Sequence, residues 1–538
     1  MSNKIWQPFI YALLIAVGIL IGIWLKPGTS AGGFIFSTKS KIGQLINIID
    51  QAYVDEVNID SIEEITIDNL LTQLDPHSVY IPAKDLQQAN EALEGNFDGV
   101  GIEFSIVNDT ILVANAIADG PSAKAGIKPG DRIIKVDSTP VAGVRVKNEQ
   151  VFKLLRGPKG TKVDVVIYRP DTKKKLAFTI ARGTIPIYSI EAALMLNNET
   201  GYIKIDKFAA NTHDEFVAAL NRLQTQHMKN LVLDLRGNPG GYLNAANAIA
   251  DEFLDDDKLI VYTESRKEKR SEYNASNEGN FEQGRLVVLV DEGSASASEI
   301  VSGAIQDWDR GLIIGRRSFG KGLVQEPFTL KDGAVVRLTV SRYYTPSGRC
   351  IQKDYTHGYE AYEHEINERF TLGETRDSSL QRINDSTVYK TSKGRVVYGG
   401  GGITPDVFVG IDTSYLNDFY SGIFAQSLLS RFAYNYIDKN RNDLNATYKN
   451  AGAYNLSFSV DGKLWNDFIT YANQNTRTPF KKAEINASTN QAKLMLKAFI
   501  ARQIWRDEGY YTVLGSEDRV IRKALQTIGG DNYDKLLH

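Results

Sequence analysis

The spacing of apolar positions changes several times along the chain. Phe9–Leu25 is almost wholly apolar, with Lys4 before it, Lys26-Pro27-Gly28 after it, and Trp6 and Trp24 near its ends. A run of about 17 residues reaches the low end of what spans a bilayer as one helix. This predicts an uncleaved anchor over residues 1–28. A cleaved signal peptide competes, with Thr29–Gly33 as its only candidate cleavage region. Lys4 and Lys26 set almost no orientation. Over 35–94 the period is helical, with Ile42, Leu45, Ile46, Ile48 and Ile49 on one stripe and a second stripe within Ile62–Leu74. The second stops at Asp75-Pro-His-Ser78, a helix-ending turn in which His77 reads as a packing or capping residue. Between 95 and 183 the pattern turns to short strands at Ile111–Val113, Arg132–Val136, Val163–Tyr168 and Leu176–Ile180, with a helix over Asn148–Leu155.

From residue 200 strands and helices alternate. Tyr202–Phe208 and Asn230–Leu235 read as strands with a helix over His213–Leu223 between them, which implies a parallel βαβ unit. Leu286–Val290 is a continuous aliphatic run, the mark of a strand buried on both faces. The chain breaks at Gly293 and resumes with Ile300, Val301, Ala304, Ile305 and Trp308 at helical spacing. Further strands are expected at Leu312–Ile314 and Ala334–Tyr343. Residues 356–394 are polar and predict an insertion or flexible loop. The tail, 411–538, is helical and aromatic, clearest in Phe424–Tyr436 and Gln491–Trp505, and reads as a dimerising or core-covering domain.

Three stretches carry candidate chemistry. Ser296 falls on the strand-to-helix turn after Val290, where a small side chain is exposed and free N–H groups collect. A hydroxyl nucleophile and an oxyanion donor can share such a place. Helix capping is the plainer use, since Ser294, Ser296 and Ser298 all cap well and Glu299 completes a capping box. Lys321 lies between Gly320 and Gly322, so its backbone can approach another element closely, and Gln325 follows on the same side of a strand. The six histidines offer no Gly-rich turn suited to a Ser-His pair. A lysine serves as base only if held neutral, which requires burial to destabilise its charged form by about 4 kcal/mol. Arg236-Gly-Asn-Pro-Gly-Gly241 follows the carboxyl end of a buried strand, where α/β sheets place ligand sites. Asp307 is eleven residues beyond Ser296 on the predicted helix, a candidate for an accessory acidic role that reads rather as a structural carboxylate, since that length of helix rises ~16 Å.

Composition narrows the partners. The chain has 538 residues, 42% hydrophobic and 24% charged, enough for two to four domains. A net charge of −3 argues against a general nucleic-acid surface, and a single cysteine, Cys350, excludes an intrachain disulfide.

Leu235-Arg-Gly-Asn-Pro-Gly-Gly241, Gly293-Ser-Ala-Ser-Ala-Ser-Glu299 and Phe319-Gly-Lys-Gly-Leu-Val-Gln325, in this order, resemble the carboxyl-terminal processing peptidases, also called tail-specific proteases. These are Ser-Lys endopeptidases that carry a PDZ domain. The resemblance runs from about Ile42 to about Gly410. It implies an α/β protease core with crotonase-like βα layers, an inserted PDZ domain over 95–183, an N-terminal membrane helix and a helical C-terminal tail. It implies Ser296 as nucleophile, Lys321 as base, Gln325 as the residue that positions the lysine, and Gly240 or Gly241 with Ala297 as backbone oxyanion donors. Gly99, Val100, Gly101 and Ile102 match the loop that captures a terminal carboxylate through backbone N–H groups. Arg156, at the end of the groove helix beside a Gly-Pro-Lys-Gly corner, reads either as a solvated surface arginine or as a link from the PDZ domain to the core. The implied protein needs no metal or organic cofactor. It takes protein or peptide substrates with exposed C-termini, meets the membrane through its first helix, binds no nucleic acid, and leaves room for a homodimer. The implied location is the inner membrane of a bacterial envelope, with the protease in the periplasm. A catalytically silent PDZ scaffold is the alternative.

Overall fold

The computed structural model describes residues 40–538, except 108, 118, 171, 268, 277, 278 and 382–386. The apolar run Phe9–Leu25 lies outside them. Among the described residues no helix is long and apolar enough to cross a membrane. The described chain opens with two helices, Lys41–Ala52 and Ile59–Thr72. The helix Lys41–Ala52 buries no residue, and Ile42, Leu45 and Ile48 on its apolar stripe are exposed.

The largest core is built on a six-stranded sheet. Ile190–Met195 pairs antiparallel with Thr200–Ile205, and from there the order Thr200–Ile205, Asn230–Asp234, Leu286–Val290, Leu312–Gly315, Val407–Phe408 is parallel. Alternate residues face opposite layers. Ile203, Leu231, Leu233, Val288, Val290 and Ile313 pack against the helices Thr212–Gln224, Leu243–Asp251 and Ala297–Asp307. Tyr202, Val232, Val287, Leu289, Leu312 and Ile314 face the other way, onto Val520, Ile521, Ala524, Ile528 and Tyr533. The unbroken aliphatic run at Leu286–Val290 is thereby explained, because helices cover both faces. The second cover is the helix Arg519–Ile528, more than 200 residues later in the chain, so the end of the tail is part of the core's own packing. The rest of the tail packs its helices around a separate apolar cluster that includes Phe419, Phe432, Tyr454, Phe468 and Leu496.

A second sheet stands beside the first. Its long strand Val335–Tyr344 pairs with Val79–Ile81, Leu259–Ser265 and Leu323–Thr329. Residues 96–186 form a small β-domain around Ile111, Val113, Ile133, Val136, Val151, Val163 and Ile167. The four predicted strands and the predicted helix are all present there. The chain enters this domain on Asn96–Gly99 and leaves on Gly183–Pro186, and those two strands pair antiparallel into one stalk.

The segment 356–394 departs from the expectation of a flexible loop. It contains the helix Tyr359–Thr371, and its Arg369 is 3% exposed. The Arg369 guanidinium donates to the carbonyls of Arg317, Ser318 and Phe319, so a polar helix is held by the backbone of the loop leading to Lys321.

Candidate active site

Of the three serines in the 294–298 run, Ser294 and Ser298 are fully buried and Ser296 alone reaches the surface. The Ser294 hydroxyl donates to the Leu235 carbonyl and that of Ser298 to the Asn238 carbonyl. Ser296 caps the helix Ala297–Asp307 with φ 53° and ψ −112°, a combination that residues with a Cβ avoid. The sharp turn that lifts Ser296 out is therefore paid for by its buried neighbours.

The Arg236–Gly241 loop lies directly against this turn. Asn238 O accepts the Ala295 N–H, and the Gly237 and Gly293 N–H groups share Asp291 Oδ1. Gly240 has φ 100°, and a Cβ there would stand 2.8 Å from the Ser296 Cβ and 2.9 Å from the Ala297 nitrogen. Only glycine allows that approach. The Gly240 N–H is donated to Asn238 Oδ1 at 2.9 Å, so it is already engaged within the loop.

The loop carrying Lys321 closes on the same turn through Glu299. This carboxylate is fully buried and accepts four hydrogen bonds: from the N–H of Ser296 at 2.9 Å, the N–H of Gly320 at 2.7 Å, the N–H of Lys321 at 2.9 Å and the Ser318 hydroxyl at 2.5 Å. Burial pushes its pKa from 4.5 up to about 7, against the four donors that lower it. Tyr343 makes a second tie. Its buried hydroxyl, kept protonated by desolvation, donates to the Ser296 carbonyl at 3.0 Å and also lies against the Lys321 carbonyl. One carboxylate thus holds the N–H groups of Ser296 and Lys321, and one hydroxyl, with a single proton, lies between their carbonyls. Burial lowers the Lys321 pKa, while Glu299 and Asp75 pull it up. Gln325 lies on the strand that begins at Leu323, its amide nitrogen 3.1 Å from Thr339 Oγ1.

The Asp75–Ser78 turn is part of this neighbourhood. Asp75 accepts the Thr339 hydroxyl at 2.9 Å, and His77 Nε2 is 2.8 Å from the Tyr362 hydroxyl. Desolvation first, then the Lys321 charge, push the His77 pKa from 6.5 down to about 3. The packing role expected of His77 holds, but the turn packs against the lysine side of the site. Sequence reasoning missed Glu299 as a bridge, and missed Tyr343, Thr339 and Asp75 altogether. Glu299 had a signal, its capping-box position, but that signal reports only the local helix. Asp307 is structural as expected, in a fully buried pair with Arg349 at 2.8 Å.

In the β-domain, the carbonyls of Val100 and Gly101 accept the N–H groups of Ser122 and Ile117. Trans peptide planes then turn the Gly101 and Ile102 N–H groups to the opposite side. Gly99 closes the entry strand, and Val100 is buried. Ile102 opens the strand Ile102–Val107, whose Phe104 meets Phe152 of the helix Asn148–Leu155 ring-to-ring at 5.4 Å. Arg156 is not a solvated arginine. It pairs with Glu91 on the helix Leu86–Glu94, outside the β-domain, and its guanidinium lies over Phe97 and Phe152.

Comparison with known proteins agrees with this anatomy. Residues 199–359 match the model of Peptidase family S41, residues 112–169 match that of a PDZ domain, and residues 419–507 match a family of unknown function (DUF8443). The chain is 37% identical over 318 residues to the carboxy-terminal-processing protease of Bartonella bacilliformis, covering 58% of this chain and 72% of that one. It is 35% identical over 316 residues to the carboxy-terminal processing protease CtpB of Bacillus subtilis, covering 58% of this chain and 65% of that one. Among solved structures, a photosystem II D1 C-terminal processing protease is 28% identical, with 59% of this chain and 85% of that chain covered at a TM-score of 0.35. The fold and site define a PDZ-bearing serine-peptidase scaffold. The chain belongs to peptidase family S41, among the carboxy-terminal processing proteases.

Proposed function

We propose that the chain is a serine endopeptidase that captures exposed C-terminal tails on its PDZ domain and cleaves by a Ser-Lys mechanism. The observation that carries this reading is the double tie of Ser296 to Lys321 through Glu299 and Tyr343. In this reading Lys321, kept neutral by desolvation, takes the proton of Ser296, and the serine oxygen attacks a peptide carbonyl. The oxyanion is met by the N–H groups of Ala297 and Gly241, since that of Gly240 is engaged with Asn238. The amine leaves with the proton held by Lys321. The same lysine, neutral again, activates the water that hydrolyses the acyl-enzyme. Gln325 orients the lysine. The tail's carboxylate is bound by the backbone N–H groups of the Gly99–Ile102 loop, and the tail lies along Ile102–Val107 as an added strand.

Two extensions belong to the same reading. Arg156 joins the groove helix to Glu91, so tail binding reaches the core through that pair. The Phe9–Leu25 run anchors the chain in a bacterial inner membrane, with the protease on the periplasmic side. The test of the activity is cleavage of an unfolded protein by the purified chain. Wild type should cut it, more slowly when its C-terminus is amidated, and Ser296→Ala and Lys321→Arg should not cut it at all, since arginine cannot deprotonate at working pH. Full cleavage by Ser296→Ala would reject the assignment.

A further inference from the structure

Gln325 and Thr339 are direct cross-strand partners only because the ladder between Leu323–Thr329 and Val335–Tyr344 slips at one point. Val324 faces Ser341, and the next residue, Gln325, faces Thr339. The extra residue on the longer strand re-aims the side chains that follow it. As a result the Gln325 amide nitrogen meets Thr339 Oγ1 at 3.1 Å. Thr339 is itself fixed from behind. Its hydroxyl donates to Asp75 Oδ1 at 2.9 Å, and its N–H donates to Ser78 Oγ, which donates in turn to Asp75 Oδ2 at 2.6 Å. Asp75 also accepts the N–H groups of His77 and Ser78, so its place is set by the turn's own backbone.

The chemistry of the chain of bonds has a direction. A carboxylate only accepts, so the single proton of the Thr339 hydroxyl is spent on Asp75. Thr339 then has only lone pairs to offer Gln325. A glutamine amide has two unlike ends, and this neighbour accepts only its NH2 end. The carbonyl end is left for whatever faces Gln325 from the other side.

We propose that Thr339, held by Asp75, is a positioning residue that fixes the orientation of the Gln325 amide, so that its carbonyl oxygen accepts an N–H of Lys321. A neutral lysine that donates one N–H to that oxygen has its lone pair turned toward the serine. An amide free to flip would offer its NH2 to the lone pair instead and compete with Ser296. The inference rests on the Ser-Lys reading above. It gives the Asp75–Ser78 turn a part in the reaction without contact with substrate.

The test is the pH dependence of kcat and KM for peptide cleavage by the full chain carrying Thr339→Val, Thr339→Ser, Gln325→Ala, and Gln325→Ala with Thr339→Val. Thr339→Val should lower plateau kcat about tenfold with KM within twofold. It should also move the midpoint of the kcat–pH curve to lower pH, because losing a carbonyl acceptor disfavours the charged lysine. Thr339→Ser should restore both. Added to Gln325→Ala, Thr339→Val should cost nothing more, since it acts through that amide. Thr339→Ala replaces Thr339→Val should the valine variant not fold. A loss that adds in full to Gln325→Ala, or a lower plateau with an unmoved midpoint, overturns the proposal. So does wild-type kcat in Thr339→Val. If Ser296→Ala retains activity, the underlying reading fails. If Ser296→Ala and Lys321→Ala are inactive while Thr339→Val is unaffected, only the positioning role fails.

Discussion

The surroundings of the proposed nucleophile and those of the proposed base are built in different ways. Ser296 sits in one continuous stretch, the strand Leu286–Val290, a turn and the helix Ala297–Asp307, rooted in a sheet covered on both sides. Lys321 has no such frame. Its loop is held by Glu299 from the serine helix, by Tyr343 from the second sheet and by Arg369 from the helix Tyr359–Thr371, while Asp75 on the Asp75–Ser78 turn acts on the Lys321 charge. The serine is placed by local structure and a deep core. The lysine is placed by polar contacts gathered from distant parts of the chain. Local geometry suffices to expose a hydroxyl on a strained turn, but a lysine must be desolvated, and desolvation needs walls from several directions.

The largest effect should come from breaking the unit that joins the two halves. Ser296→Ala and Lys321→Ala should each lower kcat by on the order of 10⁴-fold or more, and the double variant should be little worse than either. Multiplying losses in single-turnover assays would mean that the two residues do not act on one proton.

This contrast also explains what the sequence revealed. The strand, the turn at Ser296 and the helix were legible because their signals lie in one unbroken stretch, Leu286–Asp307, and come from period and punctuation. Lys321 and Gln325 were recognisable only through a motif. The desolvating walls were not legible, because nothing local at Thr339, Tyr343 or Asp75 marks a partner up to 264 residues away. The helix Tyr359–Thr371 was not legible because it buries only Tyr362 and Arg369, and the arginine's partners are backbone carbonyls rather than an apolar core. Core covering was one of the two readings of the tail, but which helix does it was not legible, as Arg519–Ile528 announces an apolar face and not what that face meets.

Lesions placed on each half should separate them. Ile521 is 2% exposed against Val287 and Leu289, so Ile521→Asp buries an unpaired charge and should cost about 4 kcal/mol. Arg369→Met removes the donor that three carbonyls share and leaves Glu365 with Lys353 and Arg317 only, at about 3 kcal/mol. Hydrogen exchange should show Ile521→Asp loosening Leu286–Val290 first and Arg369→Met loosening the residues before Lys321 first. Identical exchange patterns would make the two halves one cooperative unit.

The halves should also titrate in opposite senses. The raised pKa of Glu299 means that the folded state holds its proton more tightly than the unfolded chain. Its stabilising contribution is full below about 4.5 and is lost as pH rises through about 7, amounting to about 3 kcal/mol. His77 is depressed to about 3, so its contribution is present above 6.5 and is lost as pH falls through about 3. Denaturant unfolding across this range should show Glu299→Gln gaining on wild type between pH 4.5 and 7. His77→Gln should gain on wild type on the acid side instead. Parallel curves for wild type and variants would remove both groups from the pH response.

The smallest effects should fall on the two serines that flank Ser296, and they test whether the strained turn is a device for exposure alone. Ser294 donates to the Leu235 carbonyl and accepts the Asp291 N–H, and Ser298 donates to the Asn238 carbonyl. Neither hydroxyl reaches the surface. Both carbonyls keep another donor, since Leu235 O also accepts from the Asn238 N–H and Asn238 O from the Ala295 N–H. Removing either hydroxyl therefore orphans no buried carbonyl, and should cost about 1 kcal/mol for Ser298→Ala and somewhat more for Ser294→Ala, which also takes the acceptor of the Asp291 N–H. Ser294→Ala and Ser298→Ala should lower the unfolding midpoint slightly and leave kcat of the folded enzyme within about threefold, because a loss of about 1 kcal/mol still leaves nearly all of the chain folded. A kcat loss in Ser294→Ala as deep as that of Ser296→Ala would show that the buried network sets the reactivity of the serine as well as its exposure.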